Sequence, residues 1–489
     1  MLRALPPLTA GILLADHYVL PLWLLVGGFL VCGILALLAD DRGANLATLG
    51  AILLFGMTVT ELGHTPAPPT GTPGEYEIIV RERLSEREGK TASGASLRAL
   101  RNSETGEWLP AAGNLVVRCD SSTVLNPGDR AVVRGKIYPF TARHGGYGRL
   151  MTRRGYVGTL YLNRSSLLLR DTLHRELPPK HLSLFLHERA VARLDRLALA
   201  PDEQALCNAM TAGDRRSLSP ALRAAYSRSG TSHLLAVSGL HVGIVFLLAN
   251  LLLWWLPLFR HGHILRNIAV ILLIWLYAAT TGFPPSVVRA ALMFSVLQFA
   301  LASSSEYVGM NTLAGVAFVM LLFHPDYLFD ISFQLSFIAV AGIIAWGLPL
   351  CRLLRTRRKS IDMLTATLAI GFSASAATAP LISHTFGQIS VVGLALNPVV
   401  ILLSYVVVGS CTLWLVIPGT VLAPLFSDVA GFAARAQNEL IRAAAALPAA
   451  ALDIRLTTTQ CWSVYGLFIF ATLLLWSAER KKSVSSLPE

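Results

Sequence analysis

Long apolar segments separated by short polar connections set the hydrophobic pattern of this chain. These segments lie near residues 6–19, 21–39, 44–62, 233–257, 267–282, 285–302, 309–323, 331–350, 362–383, 390–417 and 462–477. A run of about 20 apolar residues crosses a bilayer, and several of these segments are shorter or are interrupted by Gly and Pro. The pattern predicts a mainly α-helical polytopic membrane protein with roughly ten membrane helices, some of them broken.

Asn397-Pro398 and Pro284-Pro285 are expected to break helices. Broken helices at membrane depth are tolerated where they line a protein cavity or a water path, which favours a wall or a gate at both places. A simple kink is the alternative interpretation. The stretch GFAARAQNELIRAAAALPAA from Gly431 is amphipathic, so we expect it to lie at the membrane surface rather than to cross.

The composition supports a membrane protein. Hydrophobic residues make up 54% of the 489 residues, charged residues only 14%, and mean hydropathy is +0.56. A soluble domain carries roughly a quarter charged residues. A second apolar segment follows the N-terminal one with no small-residue cleavage pattern between them, so we interpret the N-terminus as membrane helix rather than signal peptide.

Basic loops predict the orientation of the chain. The loops at 351–359 and 259–266 are the most basic, and an even number of apolar segments separates them, so both are assigned to the cytoplasmic side. The long segment 63–231 is then exoplasmic. The basic tail also favours the cytoplasm, which requires that one of the late apolar segments does not cross the membrane.

The same patterns divide the chain into domains. We expect N-terminal membrane helices (1–62), a Pro/Gly-rich linker (63–74), an exoplasmic β-rich domain (75–170), amphipathic interfacial helices (171–231), a main membrane domain (232–478) and a cytoplasmic basic tail (479–489). Within the β-rich domain, about five short strands with turns between them favour a small barrel of the OB type, a fold that often binds oligonucleotides.

The exoplasmic segment is basic and carries scattered aromatic residues. From Glu75 to Thr231 there are 25 Lys and Arg residues against 16 Asp and Glu residues. Among these aromatic residues are Trp108, Tyr138, Phe140, Tyr147, Tyr156 and Tyr161. A groove for a single strand needs cations that neutralise phosphates and rings that stack on bases. Contact with lipid head groups and packing in a core are the alternatives for these residues.

The membrane segment that starts at residue 233 carries an unusual set of polar and small residues in its first half. They are His233, Ser238, Gly239, His241 and Gly243. Small residues at this spacing suit close helix packing, and buried polar groups in a membrane need a partner or a water-filled path. The segment therefore predicts either a packing seam with a hydrogen-bonded histidine or the lining of a polar conduit.

Further polar residues lie within or at the ends of membrane segments. They are Arg289, Asp330, Gln334 and Asn397. Their presence favours the polar conduit. For Arg289 two roles stay open, an ion pair with Asp330, which we favour slightly, or contact with a phosphate.

The stretch GDRRSLSPALRAAYSRSGTSHLLAVSGLHVGIV, from Gly213 to Val245, resembles the signature of the ComEC-type competence proteins. These are inner-membrane channels through which naturally transformable bacteria take up single-stranded DNA. TGFPPSVVRAALM, HPDYLFDISFQLSFIAVAGI and LNP at Leu396–Pro398 fit the same family, and the resemblance covers nearly the entire chain. It departs at His144 and Tyr147, which replace the usual residues around the paired glycines.

This resemblance implies passage of single-stranded DNA across the bacterial cytoplasmic membrane, with the barrel on the exoplasmic side and no enzymatic activity or cofactor. It suggests Arg153 and Arg154, beside Tyr156, as DNA contacts. Many family members continue into a metallo-β-lactamase-like domain, whose metal motif we do not find, so a separate nuclease is expected. A separate DNA receptor, a cytoplasmic ATP-driven motor, membrane lipid and another copy of this chain are the other expected partners.

Two other function classes compete with the channel. A membrane hydrolase built on Ser238 and His241 is disfavoured because both lie on one helix turn and Ala236 replaces the first glycine of a nucleophile elbow. A secondary transporter of small solutes or lipids would show an inverted repeat of hydropathy, which we do not see. Cys119 and Cys207 are both exoplasmic in this topology, and a disulfide between them stays open.

Overall fold

The computed structural model describes residues 1–18, 20–62, 73–87, 90–101, 105–120, 125–140, 148, 151–171, 181–303, 309–390, 392–417, 421–448 and 450–485. Most of the expected linker, Tyr147 and the last residues of the tail lie outside this set. The chain forms two compact units. Unit 1 comprises Met1–Leu186 and Ala314–Asp330, and unit 2 comprises His187–Leu313 and Ile331–Glu489.

Unit 1 joins a small helical group to a β-barrel. Its helices and strands are α1 (Leu5–Ala15), α2 (Leu22–Leu38), α3 (Asp41–Leu62), β1 (Pro73–Arg87), β2 (Lys90–Arg101), β3 (Trp108–Cys119), β4 (Arg130–Pro139), β5 (Tyr156–Leu162) and β6 (Leu167–Asp171). Helices α1 and α3 approach closely because Gly11 and Gly56 each face the backbone of the other helix.

Unit 2 is almost entirely helical. Its elements are α4 (His181–Leu194, whose first part belongs to unit 1), α5 (Pro201–Thr211), α6 (Pro220–Arg228), α7 (Gly239–Leu252), α8 (Gly262–Thr280), α9 (Pro285–Ser303), α10 (Gly309–Phe323, whose second part belongs to unit 1), α11 (Ile331–Gly342), a π-helical segment (Ile343–Gly347), α12 (Leu348–Leu353), α13 (Lys359–Phe386), β7 (Ile389–Ser390), α14 (Val392–Val416), α15 (Ala423–Ala446), β8 (Ala451–Leu452) and α16 (Thr458–Ser485).

The described residues contain six helices that are long and apolar enough to cross a membrane. They are Asp41–Leu62, Gly239–Leu258, Gly262–Thr280, Ile331–Leu353, Lys359–Phe386 and Ala395–Val416. Four shorter apolar helices accompany them: Leu5–Ala15, Leu22–Leu38, Pro285–Phe299 and Gly309–Phe323. This confirms the predicted fold class, a mainly helical membrane protein with some short or broken segments.

The β-rich part of unit 1 closes into a small barrel. Its strands follow the order β1-β2-β3-β5-β4, and β4 pairs back with β1, while β6 extends β4 on its other side. The β3–β5 pair is parallel and the other pairings are antiparallel. Inward positions alternate with outward ones because successive side chains of a strand point to opposite faces. Ile78, Leu115, Val117, Ile137 and Leu160 fill the interior, and the predicted OB-like barrel is confirmed.

The core of unit 2 forms where α5 and α15 pack against α14. Every residue of α5 from Ala205 to Met210 is buried, so this helix lies inside the unit. The apolar face of α15, which we expected at the membrane surface, is buried against the same core. One pair of buried polar side chains in this core is joined by a hydrogen bond, since the Tyr226 hydroxyl donates to the Asn438 Oδ1 at 3.0 Å.

Helix α4 is fixed to the end of α14 by a basic side chain. Arg193 donates hydrogen bonds to the carbonyl oxygens of Trp414 and Ile417, and its guanidinium stacks on the Trp414 ring at 5.3 Å. A cation favours the C-terminus of a helix because the last carbonyls carry partial negative charge. Arg193 therefore contributes to packing within unit 2.

Candidate functional site

The predicted polar segment of unit 2 begins with a capped helix. Ser238 is the N-cap of α7, and its backbone N–H donates to the His241 Nδ1 at 2.8 Å. The Ser238 hydroxyl lies 3.3 Å from the same nitrogen. The imidazole thus accepts a hydrogen bond from a backbone N–H at the start of the helix that has no acceptor within the helix.

The second ring nitrogen of His241, Nε2, does not take part in this helix cap. The side chain is fully buried, and its Nε2 has no hydrogen-bond partner within the described residues. With Nδ1 accepting, the neutral ring carries its proton on Nε2. This arrangement does not suit a serine hydrolase, because Nδ1 is occupied by the capping amide instead of being reserved for the hydroxyl.

Both glycines of α7 permit the close approach of α9. A Cβ atom added to Gly243 would lie 3.3 Å from the Phe294 ring, which stacks on Phe246. A Cβ added to Gly239 would lie 2.9 Å from the Arg289 Nη2. Gly243 therefore serves packing, whereas Gly239 leaves room for a guanidinium at the helix N-terminus.

Arg289 lies on α9 and is buried, with 7% of the residue exposed. Its Nε has no hydrogen-bond partner among the described residues, and its Nη1 lies 3.5 Å from the Met293 sulfur. Its guanidinium carbon is 5.9 Å from the centre of the Phe337 ring. No ion pair involving Arg289 occurs in the part of the chain that the structure describes, so the favoured pairing with Asp330 does not account for it.

The start of α9 is held next to the start of α7. The Ser286 hydroxyl donates to the carbonyl oxygen of Val237 at 2.9 Å. Before α9 the chain turns through Gly282 and Phe283, whose φ angles are +83° and +54°. A phenylalanine in the left-handed region is strained, and such strain persists only where the surroundings enforce it. The TGFPP sequence thus fixes where α9 begins.

His233 lies in the short 3₁₀ turn Ser232–Leu235 that precedes α7, and its side chain is exposed. A hydrogen bond with the Gly230 backbone joins the ring to the end of α6.

The remaining predicted lining residues are placed separately. Asn397 lies in α14 beside the internal Pro398, and its Oδ1 is buried without a partner in the described structure. Gln334 lies half-buried on α11. Asp330 belongs to unit 1, where its Oδ2 accepts a hydrogen bond from the Arg154 Nη2 at 2.9 Å.

The three predicted DNA contacts on the barrel are engaged within unit 1. Arg153 pairs with Asp16 at 2.5 Å and lies over the Phe329 ring at 3.7 Å. Arg154 pairs with Asp330, as above. Tyr156 is 8% exposed, packs on Val116 and Met151, and donates its hydroxyl to Glu82 at 2.8 Å. Their role in DNA binding stays a prediction, and a strand would have to compete with these contacts.

A different face of the barrel exposes cations and rings together. Tyr138 on β4 and Tyr161 on β5 are exposed, and their ring centres are 5.8 Å apart. Arg118 lies 5.9 Å from the Tyr161 ring, and Lys136 lies 5.7 Å from the Tyr138 ring. We call these four residues the aromatic–basic face. Sequence reasoning picked out both tyrosines as members of a larger set, and strand alternation was the signal that pairs them with these cations.

Other site types receive no support from the described residues. No group of three or more His, Cys, Asp or Glu side chains there could hold a metal ion. Cys119 and Cys207 are both free thiols.

Comparison with known proteins adds an independent line. The chain is 33% identical over 204 residues to ComE operon protein 3 of Bacillus subtilis, which covers 41% of this chain and 24% of that protein. It is 29% identical over 201 residues to an uncharacterized protein of Aquifex aeolicus, covering 41% of this chain and 45% of that protein. The chain thus matches less than half the length of either relative. No solved structure matches. The family model described as Competence protein matches residues 210–481, more than half of the sequence, and the chain belongs to this family.

Proposed function

We propose that this protein conducts single-stranded DNA across the cytoplasmic membrane during natural transformation, as a transport component and not as an enzyme. In this proposal the barrel is exoplasmic and receives the strand, and unit 2 provides the path. Membership of the Competence protein family supports a role in DNA uptake. A DNA receptor, a nuclease and an ATP-driven motor would be separate proteins.

The aromatic–basic face is the observation that carries the proposal. Non-specific single-strand binding combines stacking of bases on aromatic rings with cations that neutralise phosphates. Arg118 and Tyr161 are directly opposite on paired strands, and Lys136 and Tyr138 are two residues apart on one strand. The four side chains therefore project from the same outer surface at the spacing of neighbouring strands.

The polar groups of unit 2 support a conduit. His241 and Asn397 each keep a buried polar atom without a partner in the described structure, and Arg289 keeps a buried cation without a counter-ion there. Such groups are costly in a membrane unless they face a water-filled path or a ligand. If these helices met only in a packing interface, we would expect these polar groups to have hydrogen-bond or ion-pair partners within the protein.

The test measures binding of a labelled oligothymidylate to the full chain in lipid nanodiscs by fluorescence anisotropy. Each base stacked on an aromatic ring contributes about 1–3 kcal/mol, so the Tyr138→Ala/Tyr161→Ala variant should bind at least about tenfold more weakly. Tyr18→Ala, which removes an exposed ring outside the barrel, should bind like wild type.

A second pair of variants tests the cations. Arg118→Ala should weaken binding and reduce its salt dependence, whereas Arg164→Ala, an exposed arginine outside the aromatic–basic face, should not. DNA uptake into a competent host lacking its own channel should follow the same order. Absence of strand binding by well-folded wild type, or equal binding by the double tyrosine variant, would refute the proposal.

A further inference from the structure

The structure places an unpaired buried cation where two helices begin. Arg289 is 7% exposed, its Nε lacks a partner, and it forms no ion pair with any described residue. Removing the counter-charge from a buried ion is expensive, and intramembrane arginines normally face a carboxylate, a carbonyl or water. The sulfur of Met293 and the ring of Phe337 offer only weak compensation.

The surroundings of the guanidinium add positive potential instead of removing it. Its Nη2 lies against Gly239, the first residue of α7, since a Cβ there would be 2.9 Å away. The first amides of a helix have no intrahelical acceptor, and the helix dipole makes this end positive. A cation held at this end without an anion is electrostatically unfavourable.

A second helix start meets the same place. Arg289 lies in the second turn of α9, and the Ser286 hydroxyl in the first turn is tied to the Val237 carbonyl, just before α7. Two positive helix ends and one guanidinium thus converge. In membrane transporters, helix N-termini of this kind point at anionic groups of the substrate.

We propose that Arg289 and the N-terminal amides of α7 form a binding site for one oxyanion, a phosphodiester group of the passing strand. The inference rests on the proposed function and names the group that unit 2 recognises. A planar guanidinium offers two parallel donors to a phosphate, and the amides of Gly239 and Leu240 lie at the adjacent helix end. Gly239 leaves room for the guanidinium, since an added Cβ would lie 2.9 Å from the Arg289 Nη2.

The site belongs to the predicted exoplasmic ends of α7 and α9. A phosphate held there would replace the missing counter-ion, and the next phosphate would displace it, because every nucleotide carries the same group. Free inorganic phosphate could bind the same donors. The experiment therefore distinguishes a phosphodiester group of the strand from free phosphate as the bound anion.

The experiment uses the full chain in nanodiscs with three probes: a labelled oligothymidylate, the same oligomer with an uncharged methylphosphonate backbone, and inorganic phosphate. Arg289→Met should weaken oligothymidylate binding about tenfold, the loss expected for a charge-assisted hydrogen bond, and Arg289→Lys less. Arg260→Met, an exposed arginine of the α7–α8 loop, is the control and should bind like wild type. The uncharged oligomer should not distinguish Arg289→Met from wild type.

Thermal unfolding in the absence of anions is the control that shows whether Arg289→Met is correctly folded. Because the charge of Arg289 lacks a counter-ion, Arg289→Met should unfold at the same or a higher temperature than wild type. A clear decrease in melting temperature would identify Arg289 as a structural partner and overturn the site.

The outcomes separate the two proposals. Equal strand binding by wild type and Arg289→Met would overturn the oxyanion site and leave the proposed function standing. Stabilisation of wild type, but not of Arg289→Met, by inorganic phosphate without strand binding would assign the site to free phosphate and overturn its role with DNA. No strand binding and no response to phosphate would overturn both.

Discussion

Gly230 connects α6 to the turn that carries His233, and its replacement by alanine gives a quantitative test of this geometry. Gly230 has φ +75° and follows the C-cap residue of α6, and the Thr231 N–H donates to the Tyr226 carbonyl at 2.9 Å. This is the glycine-terminated helix end of the Schellman type. A Cβ added here would lie 2.7 Å from the Ser390 Oγ and closer still to its Cβ.

Two separate effects should lower the free energy of unfolding of Gly230→Ala, and their contributions add. The left-handed conformation costs alanine about 1–2 kcal/mol relative to glycine. Overlap with Ser390 forces a shift in a packed region, which costs about 1–3 kcal/mol. We therefore expect the free energy of unfolding to fall by about 2–5 kcal/mol. Gly409→Ala is the matched control, because a Cβ at Gly409 meets no described atom within 4 Å.

The assay is denaturant titration of the four members of a double-mutant cycle, Gly230→Ala, Ser390→Gly, both together and wild type, in mixed micelles. Ser390→Gly also loses hydrogen bonds of its Oγ with Ala450 and Gly393, so only the coupling energy isolates the overlap. A favourable coupling of about 1–3 kcal/mol is expected. If Gly230→Ala is as mild as Gly409→Ala, the assigned geometry of this turn is wrong.

Two further predictions concern charged side chains of unit 2. Arg193→Met removes two hydrogen bonds to the carbonyl end of α14 and should lower the free energy of unfolding by about 1.5–3 kcal/mol, whereas the exposed Arg196→Met should change it by less than about 0.5 kcal/mol in the same titration. Burial alone would raise the pKa of Asp214, but the hydrogen bonds and charge of Arg216 lower it overall. The carboxylate therefore stabilises the fold above its ordinary pKa near 4, and this contribution is lost as pH falls through the lowered value. Wild type should lose more stability than Asp214→Asn between about pH 5 and pH 3, and parallel curves would contradict this.

The barrel was predictable because its information is local. Alternating β-formers and turn sequences such as Asn126–Asp129 define strands without reference to the rest of the chain. The strand pairings that close the barrel are not encoded by neighbouring residues. The return of β4 to β1, and the parallel β3–β5 pair, join residues far apart in sequence.

The helices α5 and α15 show the limit of amphipathic patterns. Both have an apolar face and a polar face, and a single sequence does not reveal whether lipid or protein covers the apolar one. In the structure, protein covers both, because α14 and α6 supply apolar surfaces and Tyr226 of α6 donates a hydrogen bond to Asn438 of α15.

The aromatic–basic face and the Arg289 site show what a list of residue types cannot provide. Arg153 and Arg154 have the same chemistry as Arg118, and acidic residues distant in sequence pair with the first two. Only the pairing of β3 with β5 places Arg118 beside Tyr161.

The sequence by itself determined the membrane class, the presence of a β-rich domain and the family resemblance, because hydropathy, alternation and a contiguous motif are properties of neighbouring residues. The tertiary structure decided which charges are neutralised within the protein and which are available. Arg154 forms an ion pair with the carboxylate of Asp330. Arg289 lies at a helix N-terminus without an ion-pair partner among the described residues. Electrostatic compensation depends on distances of a few ångströms between residues far apart in the chain, and folding alone sets those distances.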